Sequence, residues 1–175
     1  MLLKLEDLGQ QRTAGVDLEL NWRGGNTSLG RFGAVLNGTY ITEYQRQFGP
    51  KEPLVSNLGR FLNDPVIQRW RHRLALDWDN GPFGATLGNT YYSSYTDDNY
   101  LPDVAPGKVK AYSLWDLSAS WKATESLQLR AGIQNILNTV PPFANQSYYF
   151  LSTYDPTYTD PKGRSFYASL KYLFW

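Results

Sequence analysis

The feature that most limits what this chain can fold into is an alternation of apolar and polar residues with a period close to two. Side chains of an extended strand point to opposite faces in turn, whereas an amphipathic helix needs apolar residues three and four apart. Val16, Leu18, Leu20 and Trp22 alternate with Asp17, Glu19, Asn21 and Arg23. Phe32, Ala34, Leu36 and Tyr40 share the next face, and Trp70, Leu74, Leu76 and Trp78 follow against Arg71, Arg73, Ala75 and Asp77. Phe83, Ala85, Leu87 and Tyr91 continue the pattern, with Asn89 as a polar exception. Trp115, Leu117, Ala119 and Trp121 then alternate with Asp116, Ser118 and Ser120. Leu127, Leu129, Ala131 and Ile133 alternate with Gln128, Arg130, Gly132 and Gln134. Phe166, Ala168, Leu170, Tyr172 and Phe174 close the series. The expected fold is all-β, with about seven antiparallel strands.

The connections carry a second pattern. They are short after Arg23, Asp79 and Trp121 and long after Ile41, Tyr95 and Leu137. The long ones, residues 42–67, 96–110 and 138–162, hold Gly, Pro, Asp and Asn and read as loops. Up-and-down transmembrane barrels have this asymmetry, with short periplasmic turns and long extracellular loops. The sequence thus reads as a transmembrane β-barrel segment in a Gram-negative outer membrane, with lipid on one face of each strand. Strand direction then fixes the height of every aromatic residue. Trp22, Trp78, Trp121 and Trp175 fall at the periplasmic rim, and Trp70 and Trp115 toward the outer rim. Tyr40, Tyr91 and Tyr92 lie toward the outer ends of ascending strands. Indoles and phenols favour the headgroup level, so these positions match the two aromatic girdles of a barrel. A soluble β-domain with one polar face would alternate as well, but nothing would sort its Trp residues by height.

The same geometry reconciles a mean hydropathy of −0.47 with membrane insertion, because only every second residue meets lipid. Asp17, Glu19, Arg23, Arg73, Asp77, Asp116, Arg130 and Lys171 all share the lumen-facing parity. No apolar run approaches the roughly 18 residues of a spanning helix. A net charge of +1 gives no electrostatic footprint for nucleic acid. With no Cys, neither a disulfide nor a thiolate metal site can form. The N-terminal residues 1–8 lack the apolar core and cleavage site of an export signal, so further sequence is expected upstream.

No constellation for bond-making chemistry stands out, and the chain is expected to be neither an enzyme nor a cofactor or metal protein. His72, the sole histidine, lies between Trp70 and Leu74 and suits an interfacial or packed role better than a catalytic one. Asp97, Asp98 and Asp103 offer hard oxygen ligands, but their spacing matches no calcium loop. The loops are the available recognition surface. Tyr95, Tyr100, Tyr148, Tyr149 and Tyr154 present aromatic area among Asp and Asn, suited to an iron chelate or another bulky ligand. The competing reading makes them part of the outer girdle and its loop packing.

The order of short motifs resembles the end of a TonB-dependent outer-membrane receptor. The carriers are Asp116-Leu117 through Trp121, Gly132-Ile133-Gln134-Asn135-Ile136-Leu137-Asn138, Pro141-Pro142-Phe143, and Asp160-Pro161-Lys162-Gly163-Arg164 before a terminal strand. Gly15-Val16-Asp17-Leu18-Glu19-Leu20 resembles a recurrent strand of the family, and Trp70-Arg71 the head of another. The resemblance implies energised uptake of siderophore–iron or a similarly large nutrient. It also implies a terminal signal for the barrel-assembly machinery, here Phe166, Leu170, Tyr172 and Phe174, with Trp175 one residue beyond. The plug domain and TonB box of the family have no counterpart in residues 1–175, so coupling to the TonB complex would run through a missing N-terminal part. The chain is expected to be barrel wall, not transport-competent alone. The alternative is a self-contained eight-stranded barrel with a structural or adhesive role, its eighth strand drawn from residues 1–9 or 55–63.

Overall fold

The computed structural model describes residues 9–62, 65–98, 107–145 and 152–174. Seven strands form one antiparallel sheet: β1 (Gln11–Arg23), β2 (Arg31–Arg46), β4 (Trp70–Asn80), β5 (Phe83–Tyr92), β8 (Tyr112–Lys122), β9 (Leu127–Gln134) and β10 (Ser165–Tyr172). Each pairs with its neighbour in sequence, so the sheet is a simple meander with β1 and β10 at its edges. The strands run from 8 to 16 residues. A tilted strand needs about 9–11 residues to cross a bilayer, whereas strands of soluble domains centre on about 5–6.

Pairing register fixes the faces, because directly opposed residues share a side. Leu76, Leu87, Leu117, Ile133 and Phe166 form one continuous row across five strands. Below it run Phe32, Trp78, Ala85, Ala119, Ala131 and Ala168, and then Phe83, Trp121, Leu129 and Leu170. This face is apolar and open to the surroundings, with Val16 61% and Phe166 73% exposed. The outward positions are 16–22, 32–40, 70–78, 83–91, 113–121, 127–133 and 166–172, taken alternately, and none holds Asp, Glu, Lys or Arg. The opposite face collects the charges expected there. Glu19, Asn37, Arg73 and Thr90 form one row, and Arg23, Gly33, Asp77, Thr86 and Ser118 another. A sheet with its greasy side exposed and its charges inward is the inverse of a water-soluble layer. The solvent it fits is hydrocarbon.

Turn chemistry matches the short connections. β4 and β5 join through Gly81-Pro82, where Gly81 takes a φ of 57° that a Cβ would strain. At the opposite end, a register shift between Ala14 and Gly15 breaks the β1–β2 ladder. Beyond it Ala14 pairs with Glu43, which brings a carboxylate onto a strand pair that was uncharged outward below the shift. Trp70 lies flat over Gly38, and a Cβ at Gly38 would collide with the indole. Gly38 thus serves as the seat of an aromatic side chain.

Two of the expected loops need correction. β2 continues to Arg46, and the rest of residues 42–67 contains β3 (Arg60–Phe61). Residues 93–111 contain β6 (Tyr95–Asp97) and β7 (Gly107–Val109), with Tyr95 separated from β5 instead of ending it. β3, β6 and β7 make a second, three-stranded sheet above the long-connection rim. Strands this short carry too few alternations to register as periodicity. Their sheet covers a small core of Phe61, Val66, Tyr95, Val109 and Ala144, with Tyr158 packed against it. Among the described residues no α-helix forms, and residues 55–62 add no eighth strand to the wall.

Candidate functional site

The inner face of the wall and the last long connection enclose a cavity of about 400 Å³ under the long-connection rim. Its floor comes from inward positions of β4, β5 and β8: Arg73, Thr90, Tyr92, Leu114 and Asp116. Its roof is the segment 156–163. That segment is shaped by its own side chains. Asp155 Oδ1 accepts from the Thr157 amide at 2.9 Å and from the Thr157 hydroxyl at 2.6 Å. The Thr159 hydroxyl donates to the Asp155 carbonyl at 2.6 Å. Asp and Thr close such turns because their short side chains reach the backbone two residues on. The Tyr112 hydroxyl then clasps the segment to the wall, donating to the Asp160 carbonyl at 3.0 Å and accepting from the Asp160 amide at 3.3 Å.

The clasp turns Tyr158 inward, where its ring meets three others. Centroid distances are 5.1 Å to Tyr92, 6.2 Å to Tyr112 and 6.3 Å to Tyr95. Tilted and edge-on contacts of this kind set the positive ring edge against the negative ring face. Burial, before any neighbouring charge, pushes the Tyr158 phenol up to about 12, and Asp155 adds to the effect. Burial raises the Tyr95 phenol further, helped by its hydrogen bond to Tyr158. Both phenols are therefore neutral hydrogen-bonding groups at physiological pH. Around them stand Arg73, Gln134, Lys162 and the Lys162–Asp160 ion pair at 3.7 Å. Rings, hydroxyls, an amide and two cations can hold a bulky solute by stacking and hydrogen bonding. Among the described residues no group of three or more His, Asp or Glu is placed to hold a metal ion.

His72 faces away from this cavity, on the outward side. The Trp70 indole N–H, which can only donate, gives its proton to His72 Nδ1 at 2.8 Å. The ring is thus the Nε2–H tautomer and donates to Asn89 Oδ1 at 3.0 Å. The Asn89 amide donates in turn to Ser113 Oγ and to the Leu114 carbonyl, both at 2.9 Å. Asn89, out of place by sequence pattern, is the acceptor that lets a histidine sit in an uncharged face. The His72 ring also stacks on Tyr91 at 5.2 Å.

The structure distributes the sequence candidates unevenly. Trp22, Trp78 and Trp121 lie at the short-turn ends of β1, β4 and β8, and Trp78 donates to the Leu29 carbonyl at 2.7 Å. Trp70 and Trp115 lie toward the opposite rim. Tyr95 is only 3% exposed and forms part of the loop core, so its ring is spent on packing. Tyr154 is half-buried beside that turn. Tyr100, Tyr148, Tyr149 and Trp175 fall outside the described residues. Phe166, Leu170, Tyr172 and Phe174 line the outward side of β10 and its extension, all exposed. Tyr158 and Tyr92, which the cavity does use, are not among the loop aromatics that the sequence offers as ligand contacts. The sequence signal that could have found Tyr158 is the Asp155-Pro156-Thr157 turn before it.

Comparison with known proteins agrees with this geometry. The family described as TonB dependent receptor-like, beta-barrel, matches residues 4–136. No curated protein matches the chain. Among solved structures, a point mutant of the ferric enterobactin receptor from Pseudomonas aeruginosa superposes with a TM-score of 0.58 at 17% identity. The superposition covers 93% of this chain and 22% of that receptor, and shows a shared fold. With most of its length matched, the chain belongs to the TonB-dependent receptor-like β-barrel family.

Proposed function

We propose that this chain forms part of the wall and outer mouth of an outer-membrane receptor for siderophore–iron or a nutrient of similar bulk. The observation that carries the reading is the pairing of an uncharged, exposed outer face with a tyrosine-lined cavity on the inner one. The similar structure is that of a ferric enterobactin receptor, which supports an iron chelate as the ligand class. Among the described residues β1 and β10 each pair on one side only. In hydrocarbon an unmet backbone donor or acceptor costs several kcal/mol, so both edges need further strands. Barrels of about 22 strands in outer-membrane transporters supply them. Energy coupling through TonB and a plug would belong to those other segments, and the exposed β10 aromatics would serve the assembly machinery. The self-contained eight-stranded barrel would need its eighth strand from residues 1–9, of which 1–8 lie outside the described residues, since residues 55–62 add none to the wall.

The test is ligand binding by the protein purified from its outer membrane, read by quenching of intrinsic fluorescence with a ferric catecholate probe. Loss of an aromatic anchor costs about 1–2 kcal/mol, so Tyr158→Ala should weaken binding roughly tenfold. Arg73→Gln, at an exposed position, should weaken it without disturbing the fold. Unchanged affinity in both variants would remove the cavity from the binding path.

A further inference from the structure

Residues 131–154 contain no Asp, Glu, Lys or Arg, the longest uncharged stretch of the chain. A solvated outer loop is expected to be polar, yet within this stretch Leu137 is 65% exposed, Val140 71% and Phe143 67%. The exposure is built into a fixed turn. The Asn135 side chain closes the segment on itself, donating to the Thr139 carbonyl at 2.9 Å and accepting from the Thr139 amide at 2.8 Å. The Asn135 amide is held by Asp116 Oδ1 at 2.8 Å, and Ile136 still bonds the Trp115 carbonyl at 2.8 Å. Asn138 takes a φ of 53° and accepts from the Arg164 amide at 3.0 Å. At the other end Ala144 is locked in the loop core.

The two branches of this connection take different places. The returning branch, 156–163, roofs the inner cavity. Residues 137–143 contribute nothing to that cavity lining. They leave β9 beside Trp115, whose carbonyl accepts from the Ile136 amide, at the height of the outer aromatic rim. Exposed apolar side chains that leave the wall at the height of a membrane border have the lipid there as their preferred neighbour.

We propose that residues 137–143 form an apolar apron that dips into the outer-leaflet lipid beside the wall. The proposal rests on the reading of the outward face as lipid-facing. Because the chain has no Cys, single cysteines at Val140 or Phe143 can each carry one environment-sensitive fluorophore. Leu170→Cys on the wall and Lys162→Cys on the returning branch serve as comparators. The full chain, extracted as it occurs in its membrane, is reconstituted in phosphatidylethanolamine–phosphatidylglycerol vesicles with headgroup-level nitroxide lipids. Labels at 140 and 143 should show blue-shifted, nitroxide-quenched emission like Leu170, and the Lys162 label a water-like spectrum. Water-like spectra at 140 and 143 with Leu170 quenched would overturn the apron and leave the wall intact. Blue-shifted but unquenched labels would mean a protein neighbour and overturn it equally. Loss of quenching at Leu170 would sink the lipid-facing reading and this proposal together.

Discussion

The wall and the loop cap solve opposite problems with the same amino acids. Of the buried apolar residues described, all but Tyr112 lie outside the seven wall strands, and Tyr112 is the first residue of β8. The wall has no interior; its Trp, Phe and most of its Leu side chains face outward and its charges face in. The cap is an ordinary small core, with Val109 1% exposed and buried polar partners closing its turns. The wall therefore takes its order from backbone ladders and from the medium around it, and the cap takes its order from side-chain packing.

That contrast can be broken at several points. Phe61→Ala should cost the cap about 3–5 kcal/mol through transfer and cavity terms. Limited proteolysis should then cut the long connections, while the wall keeps its heat-modifiable migration on gels; simultaneous loss of both would show that wall and cap unfold as one unit. A charge on the wall should act in the opposite sense. Leu117→Arg lies in the middle of the outward row and should cost about 2–4 kcal/mol in lipid. Ser118→Arg, one residue on and facing inward, should cost far less, as read by denaturant unfolding in vesicles. Equal costs would erase the difference between the faces.

The Trp70–His72–Asn89 chain gives a subtler cut. Asn89→Leu or His72→Phe alone strands a polar partner in an apolar face, at about 1–3 kcal/mol each. The double variant should recover the His72–Asn89 share of that loss, while the Trp70 N–H stays without its acceptor. Additive losses would mean the residues do not act as a unit. The smallest effect expected is on pH. The Tyr158 phenol sits near 12 folded against 10.0 for the free group. A raised value means the folded state holds the proton more tightly, so this contribution is whole below pH 10 and fades as pH rises toward 12. Cap proteolysis should quicken over that window, and Tyr158→Phe should lessen the response, the share due to the Tyr95 phenol remaining.

The wall was legible because its strands are long and half of every strand must be apolar. One residue of slip would put Asp77 and Arg73 on the apolar outward face, so the alternation has no freedom to blur. The short connections after Arg23, Asp79 and Trp121 stand out equally well as the breaks between these runs. The cap was not legible for the converse reason. Phe61, Tyr95, Val109 and Ala144 come from three separate connections, and no local pattern announces that they meet. Tyr95 offered itself as an exposed loop aromatic and turned out to be buried, because β3 and β7 close over it. Tyr158 sits in a polar turn, and its value depends on the Tyr112 clasp from a residue far away in the chain. Asn89 breaks the local pattern because its partner, His72, lies on another strand.

The meander has a temporal side. Every ladder in the wall joins strands adjacent along the chain, so each newly laid hairpin can template the next with little loop entropy to overcome. The cap draws on residues before β4, between β5 and β8, and between β9 and β10, and its parts gather only after the final hairpin is in place. Its closure thus marks the end of biogenesis for this stretch. A half-built wall would leave Phe61, Tyr95 and Val109 open to proteolytic surveillance, while a finished one buries them.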